Sequence, residues 1–315
     1  MNDIKYFVEK NPMPKFSIIS DTAFPVCYGE KGVLEIDCVR QISDESNIIT
    51  WKSGVMSNAV PSTAETIIRC NYELLQEESK KDPNIVITRI DGDTSKISAT
   101  GVAAHAAFPE GSASAQNNLC KFLVESNLIN KKDLDFCKSI LVLFNDNYGE
   151  GLGIPYEDDI SGKLTGVGGY SNYNREINSD FHQNINIRYN ITADYDLLIK
   201  ELSARLDKHG FKINKITNSA PMYVDKNLPI IPILTEIANK HLGRNEKPYV
   251  MGGGTYARKL KNAIGFGPGI KGTSDFYGPK RGHAHQVDEY LNQENLEKAF
   301  MIYTEALVVI DNTIS

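Results

Sequence analysis

Two hydrophobic rhythms divide this chain, and the places where they change constrain its fold more than any other feature. Near the amino end the run Phe16-Ser17-Ile18-Ile19-Ser20 leads into Asp21 and then into the turn-rich Phe24-Pro25 and Tyr28-Gly29-Glu30-Lys31-Gly32. That is the pattern of a buried strand ending at a carboxylate. Beyond residue 225 come a helix over 230–238, the glycine-rich Met251-Gly252-Gly253-Gly254, an apolar strand over 263–266 and a long helix carrying Leu296, Phe300, Tyr303 and Leu307. Strand, loop, then helix is α/β patterning. The middle reads differently. Residues 33–40 and 48–51 look like strands; Ser62 with Glu65, after Pro61, matches a capping box opening a helix through Ile67, Ile68, Leu74 and Leu75. Strands are expected over 84–90 and 96–100, and helices over 113–126 and 132–145. A strand over 185–189, a helix holding Leu197, Leu198, Leu202 and Leu206, a stop at Gly210 and a strand over 211–216 complete an α+β layer. The 315 residues, 41% of them hydrophobic, are enough for two cores. The expected organisation is one α/β domain from both ends, residues 1–34 and 225–315, interrupted by an α+β insertion over 35–224.

Charge narrows the partners. The net charge is −6 and the cations form no long run, so neither a nucleic-acid footprint nor a basic membrane surface is indicated. No apolar stretch approaches the roughly 18–20 residues that span a bilayer, and Met1-Asn2-Asp3-Ile4-Lys5 lacks a basic segment followed by an apolar one. A cytoplasmic protein acting on a small molecule or peptide is expected. Cys27, Cys38, Cys70, Cys120 and Cys137 are odd in number and never spaced as C-x-x-C, which disfavours a disulfide framework and a thiolate zinc knuckle. A metal here would therefore be held by histidine and carboxylate, the ligand set of hydrolytic sites.

His283 and His285 beside Asp288 and Glu289 suit such a metal. Asp21, at a strand end where open α/β sheets place ligand-binding side chains, is a solvated loop aspartate on its own and a ligand when paired with His285. His105 follows a strand among small residues, Ala103-Ala104-His105-Ala106-Ala107, where it is either a packed loop histidine or a donor to a developing oxyanion. Asn58, in Ser57-Asn58-Ala59-Val60-Pro61, is a turn residue or a ligand amide. Arg188, in Asn186-Ile187-Arg188-Tyr189, is a strand surface residue or a carboxylate grip. Gly252-Gly253-Gly254-Thr255-Tyr256-Ala257-Arg258 lacks phosphate-loop spacing and instead offers backbone N–H groups to an anionic ligand end, with Arg258 nearby. His182, His209 and His241 have no acidic or histidine partner at ligand spacing and are expected to be structural or solvent-facing.

Taken in order, these motifs resemble the PepV-type dipeptidases of the zinc aminoacylase, carboxypeptidase and succinyl-diaminopimelate desuccinylase superfamily, and the resemblance extends across nearly the whole chain. It implies an α/β catalytic domain (partial) with an inserted α+β lid domain, two bridged zinc ions, and a dipeptide or acylated amino-acid substrate. Asp21 and His285 would be metal ligands; His105 would stabilise the oxyanion; Asn58 and Arg188 would fix the substrate; Gly253, Gly254, Thr255 and Arg258 would face its C-terminal carboxylate. The family's upstream H-x-D, bridging aspartate and Glu-Glu base pair have no counterpart, since the only Glu-Glu, Glu77-Glu78, lies at the polar end of a lid helix. Two of about five ligands remain, and general acid–base assistance worth roughly 10²–10⁴ in rate would be missing. The expectation is a dipeptidase inactive or incomplete as this chain alone, with zinc held weakly at most and a separate polypeptide supplying the other catalytic half. The alternatives are a non-catalytic peptide or amino-acid binding module and a desuccinylase or deacylase-type amidohydrolase.

Overall fold

Residues 2–272 and 288–314 are described by the computed structural model. They divide into unit 1, Met1–Lys31 with Ala220–Ser315, and unit 2, Gly32–Ser219. In chain order, unit 1 begins with α1 (Asn2–Lys10), β1 (Ser17–Ile19), β2 (Thr22–Ala23) and β3 (Cys27–Glu30). Unit 2 follows as β4 (Gly32–Gln41), β5 (Ile48–Ser53), β6 (Thr63–Arg69), α2 (Tyr72–Ser79), β7 (Ile85–Asp91), β8 (Thr94–Thr100), α3 (Ala115–Ser126) and α4 (Lys131–Leu143). It continues through β9 (Glu157–Asp158), β10 (Gly162–Lys163), β11 (Thr165–Asn174), β12 (Asp180–Tyr189), α5 (Tyr195–Lys208) and β13 (Lys212–Ser219). Unit 1 resumes with β14 (Met222–Tyr223), α6 (Ile230–Leu242), β15 (Tyr249–Met251), a 3-10 turn (Tyr256–Lys259), β16 (Ala263–Gly265), β17 (Pro268–Gly269) and α7 (Gln293–Ile314).

Unit 2 is an antiparallel sheet in the order β13-β4-β12-β11-β5-β6-β8-β7. Alternation assigns its two faces. Leu34, Ile36 and Cys38 of β4, with Phe181, Ile185 and Ile187 of β12, join side chains of α2, α3, α4 and α5 in one hydrophobic core. Trp51 lies within it, edge-on to Phe136 and Phe181 at centroid distances of 5.7 and 5.9 Å. Such pairs add about 0.5–1.5 kcal/mol beyond their burial. The indole N–H donates to Ser171 Oγ at 3.0 Å, so burying this polar group leaves no unmet donor. The opposite face of the same strands carries Glu35, Asp37, His182, Asn184, Asn186 and Arg188.

One expected element is replaced. Residues 63–69 form β6 rather than the first turns of a helix, because Ala64, Thr66 and Ile68 are buried at two-residue spacing and the run is rich in β-branched side chains. The helix starts later, at α2, where Asn71 caps it by accepting from Leu74 N at 3.1 Å. β11, a central strand, was not anticipated, since Thr-Gly-Val-Gly-Gly carries little apolar signal.

In unit 1 the sheet runs β1-β16-β3-β14, with β15 also on β3; β1 with β16 and β15 with β3 are parallel. Phe24, Phe266 and Tyr303 of α7 form an aromatic cluster, with Phe24 and Phe266 4.9 Å apart. The Tyr303 hydroxyl donates to Phe266 O at 2.6 Å, fixing α7 against the end of β16. Among the described residues no helix is long and apolar enough to cross a membrane.

Candidate functional site

Each unit holds part of the expected site. In unit 2 two loops meet as a short antiparallel pair. Ala59 bridges His105, Ala106 N donates to Asn58 O at 2.8 Å, and Val60 N donates to Ala104 O at 2.9 Å. Val60, Ala106 and Val167 bury a small apolar cluster beneath them. This pairing brings Asn58 to His105, with Asn58 Nδ2 3.5 Å from ring Nε2. The His105 Nδ1 accepts from Ala107 N at 3.2 Å. A neutral ring has one acceptor nitrogen, and the Ala107 N–H occupies Nδ1.

Arg188 reaches the same network from the sheet. Its Nε donates to Asn186 Oδ1 at 2.8 Å, and Asn186 Nδ2 donates to Glu35 Oε1 at 2.7 Å. Glu35 Oε1 also accepts from Ser57 Oγ at 2.9 Å, and Oε2 accepts from Asn184 Nδ2 at 3.3 Å. Asn58, His105 and Arg188 are thus joined through Ser57, Glu35 and Asn186. A glycine makes room for this approach. A Cβ on Gly169, within the irregularity of β11, would lie 2.3 Å from Ser57 O and 2.6 Å from Asn184 Oδ1.

In unit 1, Asp21 is exposed between β1 and β2. Thr22 N donates to Gly267 O at 3.0 Å and Phe24 N to Gly269 O at 2.8 Å, so β17 runs alongside the aspartate. Asp3 and, more weakly, Asp21 push the Tyr256 phenol up. His285, with His283, lies outside the described residues. One carboxylate does not make a metal site, and among the described residues no group of three or more His, Cys, Asp or Glu could hold a metal ion.

The glycine loop has an internal partner. Glu30, at the end of β3, has a side chain 0% exposed, and Arg258, 2% exposed, donates to it through Nε at 2.7 Å. Thr255 N donates to both carboxylate oxygens at 3.1 Å, and Thr255 Oγ1 donates to Oε1 at 2.5 Å. Arg258 Nη2 also donates to Gly253 O at 2.7 Å and to Lys31 O. The carboxylate in front of Arg258 is thus that of Glu30, and the guanidinium braces the loop; a buried carboxylate demands such a counterion. Thr255 N–H is directed to Glu30 as well, while Gly254 is exposed and Gly253 half-buried. Glu30 was legible only as part of a turn.

Two of the histidines read as structural or solvent-facing pair with an acid in the fold. His182 Nδ1 lies 3.2 Å from Asp37 Oδ1, while Asp37 Oδ2 accepts from Asn214 Nδ2, and His241 Nε2 lies 2.7 Å from Glu305 Oε2. Both pairs are remote in sequence. His209 is structural, its ring held below the usual histidine range by burial and by Arg205, Lys208 and Arg40.

The sequence profile described as Peptidase family M20/M25/M40 matches residues 9–308, nearly the entire chain. The chain belongs to this family. Curated relatives include a "Putative dipeptidase" of Staphylococcus aureus strain bovine RF122 / ET3-1 and another of strain USA300, each 29% identical over 324 residues. The match covers 96% of this chain and 65% of each relative, so the chain spans less than two thirds of their length. Among solved structures, the aminoacylhistidine dipeptidase of Vibrio alginolyticus superposes with a TM-score of 0.46 at 12% identity, covering 83% of this chain and 61% of that one.

Proposed function

We propose that this chain carries the substrate-clamping elements and two metal ligands of a zinc-dependent dipeptidase of the PepV type. The observation that carries the reading is the joining of Asn58, His105 and Arg188 in one hydrogen-bonded network on the helix-free face of unit 2, in a member of a peptidase family. In this reading His105 Nε2–H donates to the oxyanion that develops on the peptide carbonyl, and Asn58 orients the ring. Arg188, steadied by Asn186, draws the substrate in by its charge. The backbone of the half-buried Gly253 and the exposed Gly254 receives the C-terminal carboxylate, and Arg258 acts through Glu30 and Thr255 to keep that loop in shape. Asp21 and His285 would hold zinc, which when bound supplies a hydroxide nucleophile near neutral pH.

Residues 1–315 contain no H-x-D and no Glu-Glu outside α2, so turnover requires a bridging carboxylate and a general base from another source. The outward face of α7 supports a polypeptide docking there: Leu296, Phe300, Leu307 and Val308 are 49%, 68%, 58% and 59% exposed. Apolar side chains concentrated on one helix face mark an interaction surface. Titration calorimetry with dipeptides, with and without zinc, tests the reading. Expected is binding weakened by H105A and R188A, with zinc affinity lowered by D21A and H285A and little turnover by the chain alone. Dipeptide binding indifferent to both H105A and R188A would refute the clamp, and full hydrolysis by the purified chain would refute the need for outside residues.

A further inference from the structure

We propose that Glu35 is the positioning residue that sets the Asn58–His105 pair and Arg188 in a single arrangement, so that the two halves of the clamp move together. This rests on the functional reading above for its purpose, but not for its geometry. Glu35 lies on β4 opposite Asn186 of β12, facing away from the helices, and is half-buried. Its oxygens accept from three side chains on two chain segments, the loop after β5 and strand β12: Ser57 Oγ at 2.9 Å, Asn186 Nδ2 at 2.7 Å and Asn184 Nδ2 at 3.3 Å. The first holds the loop that carries Asn58. The second leaves Asn186 Oδ1 turned to Arg188 Nε at 2.8 Å. A carboxylate is suited to this task because it accepts at both oxygens, and charged acceptors make the stronger hydrogen bonds. Neither Ser57 nor Asn186 reaches both sides, so Glu35 is the point at which the loop and the strand meet.

The network also says which substitution is tolerated. Asn184 Oδ1 is buried without a hydrogen-bond partner. A glutamine at position 35 keeps Oε1 for Ser57 and Asn186, and its amide N–H₂ can donate to Asn184 Oδ1 once that side chain adjusts. Alanine keeps none of these bonds.

Amide and side-chain hydrogen exchange by NMR on the full chain tests the inference without any ligand. Val60 and Ala106 amides report the paired loops, and the Arg188 Nε–H reports the clamp. E35A is expected to speed exchange at both places by about tenfold or more, the loss of a charge-assisted hydrogen bond at each. S57A is expected to speed exchange at Val60 and Ala106 only, N186L at Arg188 only, and E35Q at neither. Trp51 fluorescence confirms that the core of each variant is intact, and E35Q serves as the conservative rescue. If E35A leaves either reporter unchanged, or E35Q behaves like E35A, the inference is overturned. A second arm measures affinity for Ala-Ala by calorimetry. Exchange that follows the pattern while E35A, H105A and R188A all bind Ala-Ala as the parent does would uphold Glu35 as the joining residue and refute the dipeptidase clamp.

Discussion

Removing the Arg258 guanidinium while leaving Glu30 in place is the sharpest test of how unit 1 keeps its glycine loop. In R258M the Glu30 carboxylate, 0% exposed in the parent, loses the 2.7 Å bond from Nε, and the loop loses the bonds that Nη2 makes to Gly253 O and Lys31 O. Breaking one side of a buried ion pair costs about 3–5 kcal/mol, because the surviving charge is stranded away from water. Thr255 still donates twice to Glu30, through N and through Oγ1, which places the expected loss near the lower end, about 3 kcal/mol. Neutralising the stranded acid should recover part of this: E30Q/R258M is expected to be more stable than R258M by about 1–2 kcal/mol. Urea unfolding followed by circular dichroism gives the free energies, and hydrogen exchange over Tyr249–Met251 localises the effect. Trp51, the only tryptophan, reports unit 2 separately. A loss under about 1 kcal/mol in R258M, or a double variant less stable than the single one, would show that the pair does not brace the loop.

Three further outcomes follow from single contacts. G169A should destabilise unit 2 by about 1–3 kcal/mol and loosen the Val60 and Ala106 amides, since its methyl would meet Ser57 O at 2.3 Å; an unchanged melting temperature counts against that close approach. N71A should cost about 1 kcal/mol by uncapping α2, read by urea denaturation, and no loss would mean the helix start is held by packing instead. Burial raises the Asp158 carboxyl, but donation from Ser161 N, Thr192 Oγ1, Ser161 Oγ and Thr192 N outweighs it and brings the value down to about 2. Its folded value lies below the unfolded one, so its stabilisation is present above about pH 4 and disappears as pH falls toward 2. After screening by solvent at this half-buried site it should amount to about 1 kcal/mol, visible as the difference in acid unfolding between D158N and the parent, and absence of any pH-dependent difference would refute it.

The sequence made the strands of β4, β5, β7, β8 and β12 and the helices α3 to α7 legible because each carries a period that burial enforces. It failed at β6, where Ser62 and Glu65 imitate a helix start while Ala64, Thr66 and Ile68 keep a strand's alternation. It failed again at β11, whose glycines carry little apolar signal and of which Gly169 admits the Ser57 loop. At the site, individual residue types pointed to Asn58, His105 and Arg188, yet nothing local could reveal that Glu35 links them. The Asp37–His182 and Glu305–His241 pairs were hidden for the same reason: cross-strand and interhelical register, not spacing along the chain, brings them together. Arg258 looked like a ligand's counterion because the sequence does not show that Glu30 is buried beside it.

The sheet of unit 1 draws β1 and β3 from one end of the chain and β14, β15 and β16 from the other, with all of unit 2 between them. During synthesis the opening segment must therefore wait, its edges unmatched, until everything through Gly265 has left the ribosome, whereas unit 2 is contiguous and can collapse as it emerges. Early folding of the insertion would hold Lys31 and Ala220 near one another, shortening the search by which the late strands find the early ones.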